Sequence, residues 1–496
     1  MDTAILVIYG AALALLAGFG VHRYFLLYLY VRHRAETPRA RALPSPAPRV
    51  TVQLPVYNEM YVVERLIRAA CAIDYPADRL EIQVIDDSTD ETSEIVRRLC
   101  EEERVRGRDV VHIRRGARDG FKAGALAAGL ERARGEYVAI FDADFVPPPG
   151  ILRAVVPYFE DERLGMAQVR WGHLNRSYSL LTQLQSIFLD GHFVIEQTAR
   201  NRSGRFFNFN GTAGIWRRRA IEDAGGWQHD TLTEDLDLSY RAQLRGWRFL
   251  YLPHLVAPAE LPVEMRAFKT QQHRWVKGSI QTARKLLPRI LLSPIPWRVK
   301  LESVLHLSNN LAYVAMIAPS VLILPVLAVG RRLQIDWHLL AFGYFVLFFS
   351  ATASVASFYV VAQREILPDW RARIRYLPPL MALGVGLSVN NARAVLEGLF
   401  ERGREFVRTP KYAIVSQRDG WRDKRYVNRV DPLGVVEVLL AAYFIVVLVY
   451  TLRHGLLLFV PFAVLFLCGF LYVGGLSLFE HLGRPALRGG RVAPSP

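Results

Sequence analysis

The chain has 496 residues, 51% of them hydrophobic, with three cysteines and a formal net charge of +16. This length allows more than one domain, the scattered cysteines exclude a disulfide framework, and the hydrophobic content is high for a soluble protein. The positive charge indicates an anionic membrane surface and a phosphorylated substrate as partners, and not a nucleic acid, because zinc-finger and RNP-type motifs are absent from the sequence.

The apolar residues are concentrated toward the two ends of the chain. Residues 4–31 are almost wholly apolar, as are long parts of 309–363 and 434–479, whereas residues 48–300 have an ordinary globular composition. This pattern predicts a multi-pass membrane protein with one large soluble domain, and spans near 5–30, 309–330, 339–362, 434–452 and 456–476. The basic residues follow the first apolar segment, which favours a retained anchor with its N-terminus outside over a cleaved signal peptide.

The apolar segment 377–398 is a special case, because it contains Asn390, Asn391 and Glu397, which are costly in the middle of a bilayer. If it crossed the membrane, the loop 399–432 with its nine Lys or Arg residues would lie outside, against the positive-inside rule. We therefore expect an interfacial or re-entrant helix there, five spans in total, and a bacterial inner membrane as the location. The expected organisation is a transmembrane helix at 1–34, a cytoplasmic catalytic domain at 48–300, transmembrane hairpins at 301–363 and 433–480, an interfacial helix with a loop at 364–432, and a cytoplasmic tail at 481–496.

Strands and helices alternate in the first part of the soluble domain. The runs VTVQLPV, LEIQVID and YVAIF read as buried strands, and each is followed by polar residues and a helical pattern. This alternation predicts an α/β domain with a mostly parallel sheet, whose ligands gather at the carboxyl ends of the strands. The polar residues at these ends include Tyr57, Glu59, Asp86, Asp87, Asp142 and Asp144.

Asp142 and Asp144 are separated by one residue, so that in an extended segment both carboxylates can approach one hard divalent cation. A departing diphosphate needs such a cation, although two strand-end aspartates in a turn are an equally reasonable interpretation. Asp86 and Asp87 could accept from a base or ribose hydroxyl, or form an Asx-type turn. Lys122 lies in a glycine-rich helix start and could bind phosphate or be solvated, and the absence of GxxxxGK[ST] argues against a P-loop ATPase.

Two later stretches contain further chemistry-bearing residues. TEDLDLSYRAQLRGW begins with Glu234, Asp235 and Asp237 after Thr233, and a capped helix with acids in its first turn would explain it without catalysis. In QQHRW, Trp275 offers a flat face on which a sugar can stack and Arg274 a fork for pyrophosphate. The alternative there is an amphipathic helix whose Trp marks a membrane interface.

Six motifs in this order, flanked by apolar segments, resemble the family 2 glycosyltransferases of the cellulose synthase superfamily. They are YNE at 57–59, DDS at 86–88, KAGAL at 122–126, DAD at 142–144, TED at 233–235 and QQHRW at 271–275. The similarity covers roughly residues 48–430, and the compact chain is most similar to the cellulose synthase-like mannan and glucomannan synthases. It implies a cytoplasmic GT-A domain joined to an α-helical transmembrane bundle with interfacial helices.

The resemblance also implies a role for each motif. Asp235, with Glu234 beside it, would be the general base that deprotonates the acceptor hydroxyl, whereas Asp237 keeps the capping interpretation. The metal site would be Asp142 and Asp144, which hold Mg²⁺ or Mn²⁺. The nucleotide sugar would be bound by Tyr57, Glu59, Asp86, Lys122, Asp142, Asp144, Arg274, Thr409 and Lys411. The acceptor would be bound by Gln271, Arg274, Trp275, Phe209, Gly211 and Thr212, with Asn210 in the same stretch.

Two further segments are interpreted by the same resemblance. FVRTPK at 406–411 is similar to the FxVTxK gating loop of bacterial cellulose synthase, with Arg408 in place of Val and Pro410 adding stiffness. Thr409 and Lys411 would then close over the diphosphate, although a solvated basic loop is an alternative. Trp171, His173 and the segment from 178 to 197 are expected to form an amphipathic interface helix.

Together these features predict an inverting, processive hexosyltransferase that polymerises a β-linked polysaccharide from GDP-mannose or UDP-glucose and exports it through its own spans. One alternative is a single transfer to a lipid acceptor, as in ceramide glucosyltransferase-like enzymes. Another is a membrane transporter or receptor with a degenerate nucleotide-binding domain. No residue distinguishes the donor sugar or the oligomeric state.

Overall fold

The computed structural model describes residues 2–36, 38–39, 42–333, 337–401, 407–426 and 431–480. The strands are β1 (Val50–Val56), β2 (Leu80–Asp86), β3 (Val110–Arg114), β4 (Tyr137–Ile140), β5 (Leu164–His173), β6 (Gly214–Arg217) and β7 (Arg248–Ala259). The α-helices up to residue 244 are α1 (Asp2–His33), α2 (Val63–Cys71), α3 (Thr92–Val105), α4 (Phe121–Arg132), α5 (Ile151–Val155), α6 (Leu180–Asp190), α7 (Gln197–Arg202), α8 (Arg218–Asp223) and α9 (Glu234–Leu244). The later helices are α10 (Met265–Leu292), α11 (Trp297–Ser308), α12 (Leu311–Arg332), α13 (Trp337–Ile366), α14 (Trp370–Arg373), α15 (Leu377–Gly386), α16 (Ser388–Phe400), α17 (Leu433–Arg453) and α18 (Val460–Phe479).

The seven strands form one sheet in the order β3-β2-β1-β4-β6-β5-β7. All neighbouring pairs are parallel except those of β6, which runs antiparallel to β4 and β5. The strands β1 and β2 are almost wholly buried, and their polar side chains are paired inside the domain, Thr51 with Glu81 and Gln53 with Gln83. The predicted α/β class with a mostly parallel sheet is confirmed.

The strand order positions the ligand-binding edge. β1 lies between β2 and β4, so the three carboxyl ends that carry YNE, DDS and DAD are adjacent. From β1 the chain continues to β2 and β3 on one side, whereas β4 lies on the other side of β1. The strand order therefore reverses at β1, and ligands bind at such points in open α/β sheets. Motifs up to 85 residues apart in the sequence therefore meet at one edge.

Four helical segments in the described part of the chain are long and apolar enough to cross a membrane. They are Asp2–His33, Leu311–Arg332, Leu433–Arg453 and Leu457–Phe479, and they match four of the five predicted spans. The fifth, 339–362, corresponds to α13, a 30-residue helix for which many side chains between 337 and 349 lie outside the described residues. It stays a prediction as a span.

The segment 377–398 forms two helices, α15 and α16, that meet at Leu387. Each is too short to cross a bilayer alone, and the interfacial assignment stays a prediction. Asn390 is buried, and its Nδ2 donates to the carbonyl of Lys269 at 3.1 Å, which compensates for the loss of water around the amide. The predicted tail 481–496 lies outside the described residues.

Helix α10 joins the α/β region to the C-terminal helices. Lys269 on α10 is buried and its ammonium lies 2.7 Å from Glu437 on α17. Arg266, one turn earlier, donates from Nε to the carbonyl of Ser477 on α18 at 2.7 Å. The helix that carries QQHRW is thus fixed to two candidate spans at one end.

Candidate active site

One cleft opens at the carboxyl edge of β1, β2 and β4. The residues in its wall come from strand ends, from α4, α9 and α10, and from the loop after α16. The predicted site residues that line it are Tyr57, Glu59, Lys122, Asp142, Asp144, Gly211, Glu234, Asp235, Gln271, Arg274, Trp275, Thr409 and Lys411. The fold therefore brings most of the predicted donor, acceptor and base residues together.

Each carboxylate of the DAD motif faces an ammonium group. Asp142 Oδ1 lies 2.5 Å from Lys122 Nζ, and Asp144 Oδ2 lies 2.6 Å from Lys411 Nζ. Burial and the nearby Asp144 raise the pKa of Asp142, while the positive charge of Lys122 opposes this rise. Each of the two acids is thus paired with a lysine ammonium group. The site therefore offers negative charge to a metal ion and positive charge to a phosphate.

The chemistry of Asp142 and Asp144 fits a divalent cation. Carboxylate oxygens are the hard ligands that Mg²⁺ and Mn²⁺ prefer, and Mg²⁺ is usually held by one or two carboxylates together with substrate phosphates and water. Within the described ranges no group of three or more His, Cys, Asp or Glu side chains could hold a metal ion. A cation at Asp142 and Asp144 would therefore depend on the diphosphate for part of its coordination.

Asp235 lies in the first turn of α9 and lines the same cleft as the strand ends. Its Oδ1 accepts from the backbone N–H of Leu236 at 2.8 Å. Gly211 has a φ of +81°, and a Cβ on it would lie 3.0 Å from Asp235 Oδ2, so a side chain here would crowd the carboxylate. Burial and the neighbouring Glu234 raise the pKa of Asp235 to about 7. This pKa suits a group that exchanges a proton near neutral pH.

Lys122 links the DAD motif to the TED motif. Its ammonium donates to the carbonyl of Gly211 at 2.9 Å, next to Asp235, while it pairs with Asp142. Burial lowers the pKa of Lys122, but Asp142, Glu234 and Asp235 together raise it above its ordinary value. The lysine therefore remains charged between the two groups of carboxylates.

The structure corrects the interpretation of Thr233 and adds to that of Asp237. Thr233 makes no side-chain cap, because its Oγ1 is paired with the hydroxyl of Thr282 on α10 at 3.2 Å. Asp237 is fully buried; it accepts from Arg241 Nε at 2.7 Å and lies 2.8 Å from Lys285 Nζ. Thr233 therefore does not cap α9 with its side chain, whereas Asp237 lies in the first turn of the helix as predicted and is in addition paired with Arg241 and Lys285.

Asp86 does not line the cleft. It is fully buried, and its carboxylate accepts from the N–H of Ser88 at 2.8 Å and contacts His112 Nε2 at 3.0 Å. Asp87 lines the cleft instead and is paired with Arg115. In this structure Asp87, and not Asp86, faces the cleft, so the nucleotide contact expected of Asp86 stays a prediction.

Phe209 and Thr212 lie behind the cleft wall and not in it. The ring of Phe209 is fully buried, with its centroid 5.7 Å from that of Trp216. Thr212 is buried, and its Oγ1 accepts from the backbone N–H of Asp142 at 2.9 Å. In this arrangement both residues support the wall near Gly211 and Asp142, and their predicted contacts with an acceptor stay a prediction.

Trp171 and His173 lie at the end of β5 and not on an interface helix, and both line the cleft. The expected helix begins only at Leu180, because residues 164–173 pair with β7. Trp171 packs against Trp275 with ring centroids 6.5 Å apart. The sequence analysis did not predict β5, although the aromatic residue near its end could have indicated a strand.

The loop of 407–411 covers one side of the cleft. Arg408 makes two bonds to the carboxylate of Glu59, at 2.9 and 2.7 Å, and its guanidinium lies 4.3 Å from the ring centroid of Tyr426. Thr409 and Lys411 are buried beside it. Arg408 thus binds this loop to the YNE motif at the end of β1, and the role of the loop as a gate stays a prediction.

Three comparisons relate this cleft to known proteins. A family model described as "Glycosyltransferase like family 2" matches residues 47–278. Glucomannan 4-beta-mannosyltransferase 7 of Arabidopsis thaliana is 34% identical over 459 residues, which cover 86% of this chain and 77% of that protein. Glucomannan 4-beta-mannosyltransferase 1 of Oryza sativa subsp. japonica is 34% identical over 465 residues, covering 87% and 84%.

Among solved structures, the mannosyltransferase PcManGT from Pyrobaculum calidifontis, in complex with GDP-Man and Mn²⁺, is similar in fold. Its TM-score is 0.54 at 22% identity, and the match covers 80% of this chain and 100% of that chain. The predictions of a GT-A domain and of a family 2 hexosyltransferase in a membrane are confirmed. The chain belongs to the family 2 glycosyltransferases, in the cellulose synthase-like group that includes the glucomannan 4-β-mannosyltransferases.

Proposed function

We propose that this protein is an inverting, processive glycosyltransferase that extends a β-linked mannan or glucomannan with GDP-mannose as its main donor. Two relatives that match most of the chain are named glucomannan 4-beta-mannosyltransferases. The structural neighbour was solved with GDP-Man and Mn²⁺. These names favour GDP-mannose over UDP-glucose, between which the sequence alone does not choose.

The observation that carries this proposal is that two separate groups of carboxylates share one cleft. Glycosyl transfer needs one group at the leaving diphosphate and another at the attacking hydroxyl, in fixed mutual orientation. Asp142 and Asp144 would hold Mg²⁺ or Mn²⁺, which when bound neutralises the charge that develops on the diphosphate. Lys122 and Lys411 would add positive charge on the same side.

Asp235 is the proposed general base. Its carboxylate takes the proton of the acceptor hydroxyl while that oxygen forms a bond to the anomeric carbon of the donor. The bond from the anomeric carbon to the diphosphate oxygen breaks, and its electron pair leaves with the nucleoside diphosphate. Attack from the side opposite the leaving group inverts the configuration, so an α-linked donor yields a β-linkage.

Helix α10 would bind the acceptor. Trp275 lines the cleft beside Trp171 and offers a flat apolar face to the terminal sugar. Arg274 lines the same cleft, and its positive charge opposes the rise in the pKa of both Asp142 and Asp235. The loop with Thr409 and Lys411 would close over the nucleotide.

We also propose the predicted membrane arrangement, with five spans that include α13, an outside N-terminus, a cytoplasmic catalytic domain and export of the polymer between the spans. The relatives compared above are plant enzymes, so a bacterial inner membrane stays a prediction from the sequence.

The direct test is to incubate the purified protein with GDP-mannose or UDP-glucose, each with Mg²⁺ or Mn²⁺, and to analyse the product by size and by linkage-specific digestion. The proposal expects a long polymer from GDP-mannose that an endo-β-1,4-mannanase degrades. A single sugar on a lipid would support the glycolipid alternative instead. Transfer only from UDP-glucose would contradict the assigned donor.

A further inference from the structure

A chain of buried and partly buried polar side chains runs from the first helix toward the cleft. His22 on α1 contacts Glu302 on α11 at 3.1 Å, and Arg200 on α7 donates from Nε to Glu302 at 2.9 Å. Arg200 also donates to Glu196 at 3.0 Å, and His192 Nδ1 lies 3.0 Å from the same Glu196 oxygen. Arg200 is fully buried, and the carboxylates of Glu196 and Glu302 compensate its charge.

This chain ends at Asn210, which lines the cleft. Asn210 Nδ2 donates to His192 Nε2 at 2.9 Å, and its Oδ1 accepts from Gln197 Nε2 at 2.6 Å. Since His192 Nε2 accepts, the proton of the neutral imidazole is on Nδ1, where it is donated to Glu196. Both ends of the Asn210 amide are therefore fixed, and one of its two N–H groups remains for a ligand.

The local helix geometry makes this double contact possible. Residues Gly191–Glu196 form a π-helical segment between α6 and α7. The wider turn brings residues five apart onto one side, so His192 and Gln197 lie 3.3 Å apart at their Nε2 atoms and both reach Asn210. Helix α13 packs closely against this segment: a Cβ on Gly191 would come within 2.6 Å of the Tyr359 ring.

We propose that His192 is a positioning residue for acceptor binding: it orients Asn210 so that the remaining N–H donates to a hydroxyl of the terminal acceptor sugar. Asn210 precedes Gly211, which lies against the carboxylate of Asp235, so a hydroxyl bound here is next to the proposed base. This inference rests on the proposed function, because it requires a sugar acceptor in the cleft. The network through Glu196 and Arg200 keeps the imidazole in the tautomer that accepts from Asn210.

The test compares variants of the full-length protein with GDP-mannose and a β-1,4-manno-oligosaccharide of fixed length as acceptor. In His192→Phe, which removes the accepting nitrogen, kcat/KM for the acceptor falls about tenfold, as expected for the loss of one oriented hydrogen bond. The KM for GDP-mannose stays within about twofold of the wild type. In His192→Gln, an amide oxygen replaces the nitrogen and most of the activity returns. His254→Gln, on the exposed part of β7, is the matched control and has no effect.

A double-mutant cycle separates positioning from a general packing role. Asn210→Ala alone reproduces the loss in acceptor kcat/KM, and His192→Phe then causes no further loss in the Asn210→Ala background. If His192→Phe causes the same loss in both backgrounds, or lowers only the melting temperature, the inference is wrong. If His192→Phe does not fold, an unchanged acceptor KM in Asn210→Ala overturns it. A wild-type protein that transfers no sugar would overturn the proposed function itself, which is a distinct result.

Discussion

Replacing Asp235 by Asn tests the assignment of the general base. The substitution keeps the side-chain shape and the oxygen that accepts from the N–H of Leu236 at 2.8 Å, but it removes the carboxylate that takes the proton. General base catalysis contributes about 10²–10⁴-fold, so we expect kcat to fall by that factor, which corresponds to about 3–5 kcal/mol of transition-state stabilisation. Donor binding should persist because Asp142 and Asp144 are untouched.

The assay measures sugar incorporation from labelled GDP-mannose and, separately, Mn²⁺-dependent binding of GDP by calorimetry. A matched control is Asp237→Asn, which makes the same change two residues later on the same helix. Asp237 is buried in ion pairs with Arg241 and Lys285, so its loss should lower the melting temperature more than kcat. If Asp235→Asn turns over at the wild-type rate, or if both variants lose kcat equally, the assignment of the base is refuted.

The other predictions concern the cation, the pH profile, the loop and the acceptor platform. Asp142→Asn should abolish Mn²⁺-stimulated GDP binding, and unaltered stimulation would remove it from the metal site. Because Asp235 must be ionised to accept a proton and its pKa is raised to about 7, log kcat/KM should fall by about one per pH unit below 7; a flat profile down to pH 5 would contradict this. Arg408→Val removes the paired bonds to Glu59 and should raise the KM for GDP-mannose several-fold, whereas an unchanged KM would indicate that the loop contact does not affect the donor. Trp275→Ala should shorten the polymer and Trp275→Phe should restore part of its length, whereas equal lengths in both variants would argue against stacking.

The sheet could be predicted because its strands are short segments rich in Val, Ile and Leu that are bounded by polar residues and separated by helical patterns. Parallel connections then bring YNE, DDS and DAD to the same edge. The sequence did not distinguish Asp86 from Asp87, because which of two adjacent side chains faces a cleft depends on how the strand ends. Asp86 is turned toward His112 and Ser88 inside the domain.

The convergence of distant motifs could not be derived from spacing. Asp235 and Lys411 reach the cleft through the packing of α9 and of the loop after α16, and only the resemblance to a family pointed to them. Trp171 was assigned to a helix because its neighbourhood is amphipathic, yet pairing with β7 made it part of a strand. The positioning network around His192 has no sequence signal, since it depends on a π-helical segment and on partners in the three helices α1, α7 and α11.

The most direct measurement is a cryo-EM structure of the Asp235→Asn variant with GDP-mannose, Mn²⁺ and a manno-oligosaccharide. We predict a cation within ~2.0–2.6 Å of oxygens from Asp142 and Asp144 and from the diphosphate. The side chain at position 235 should lie within ~3.2 Å of the hydroxyl that faces the anomeric carbon. A donor bound with its anomeric carbon turned away from position 235, or an acceptor that does not reach α9, would contradict the account.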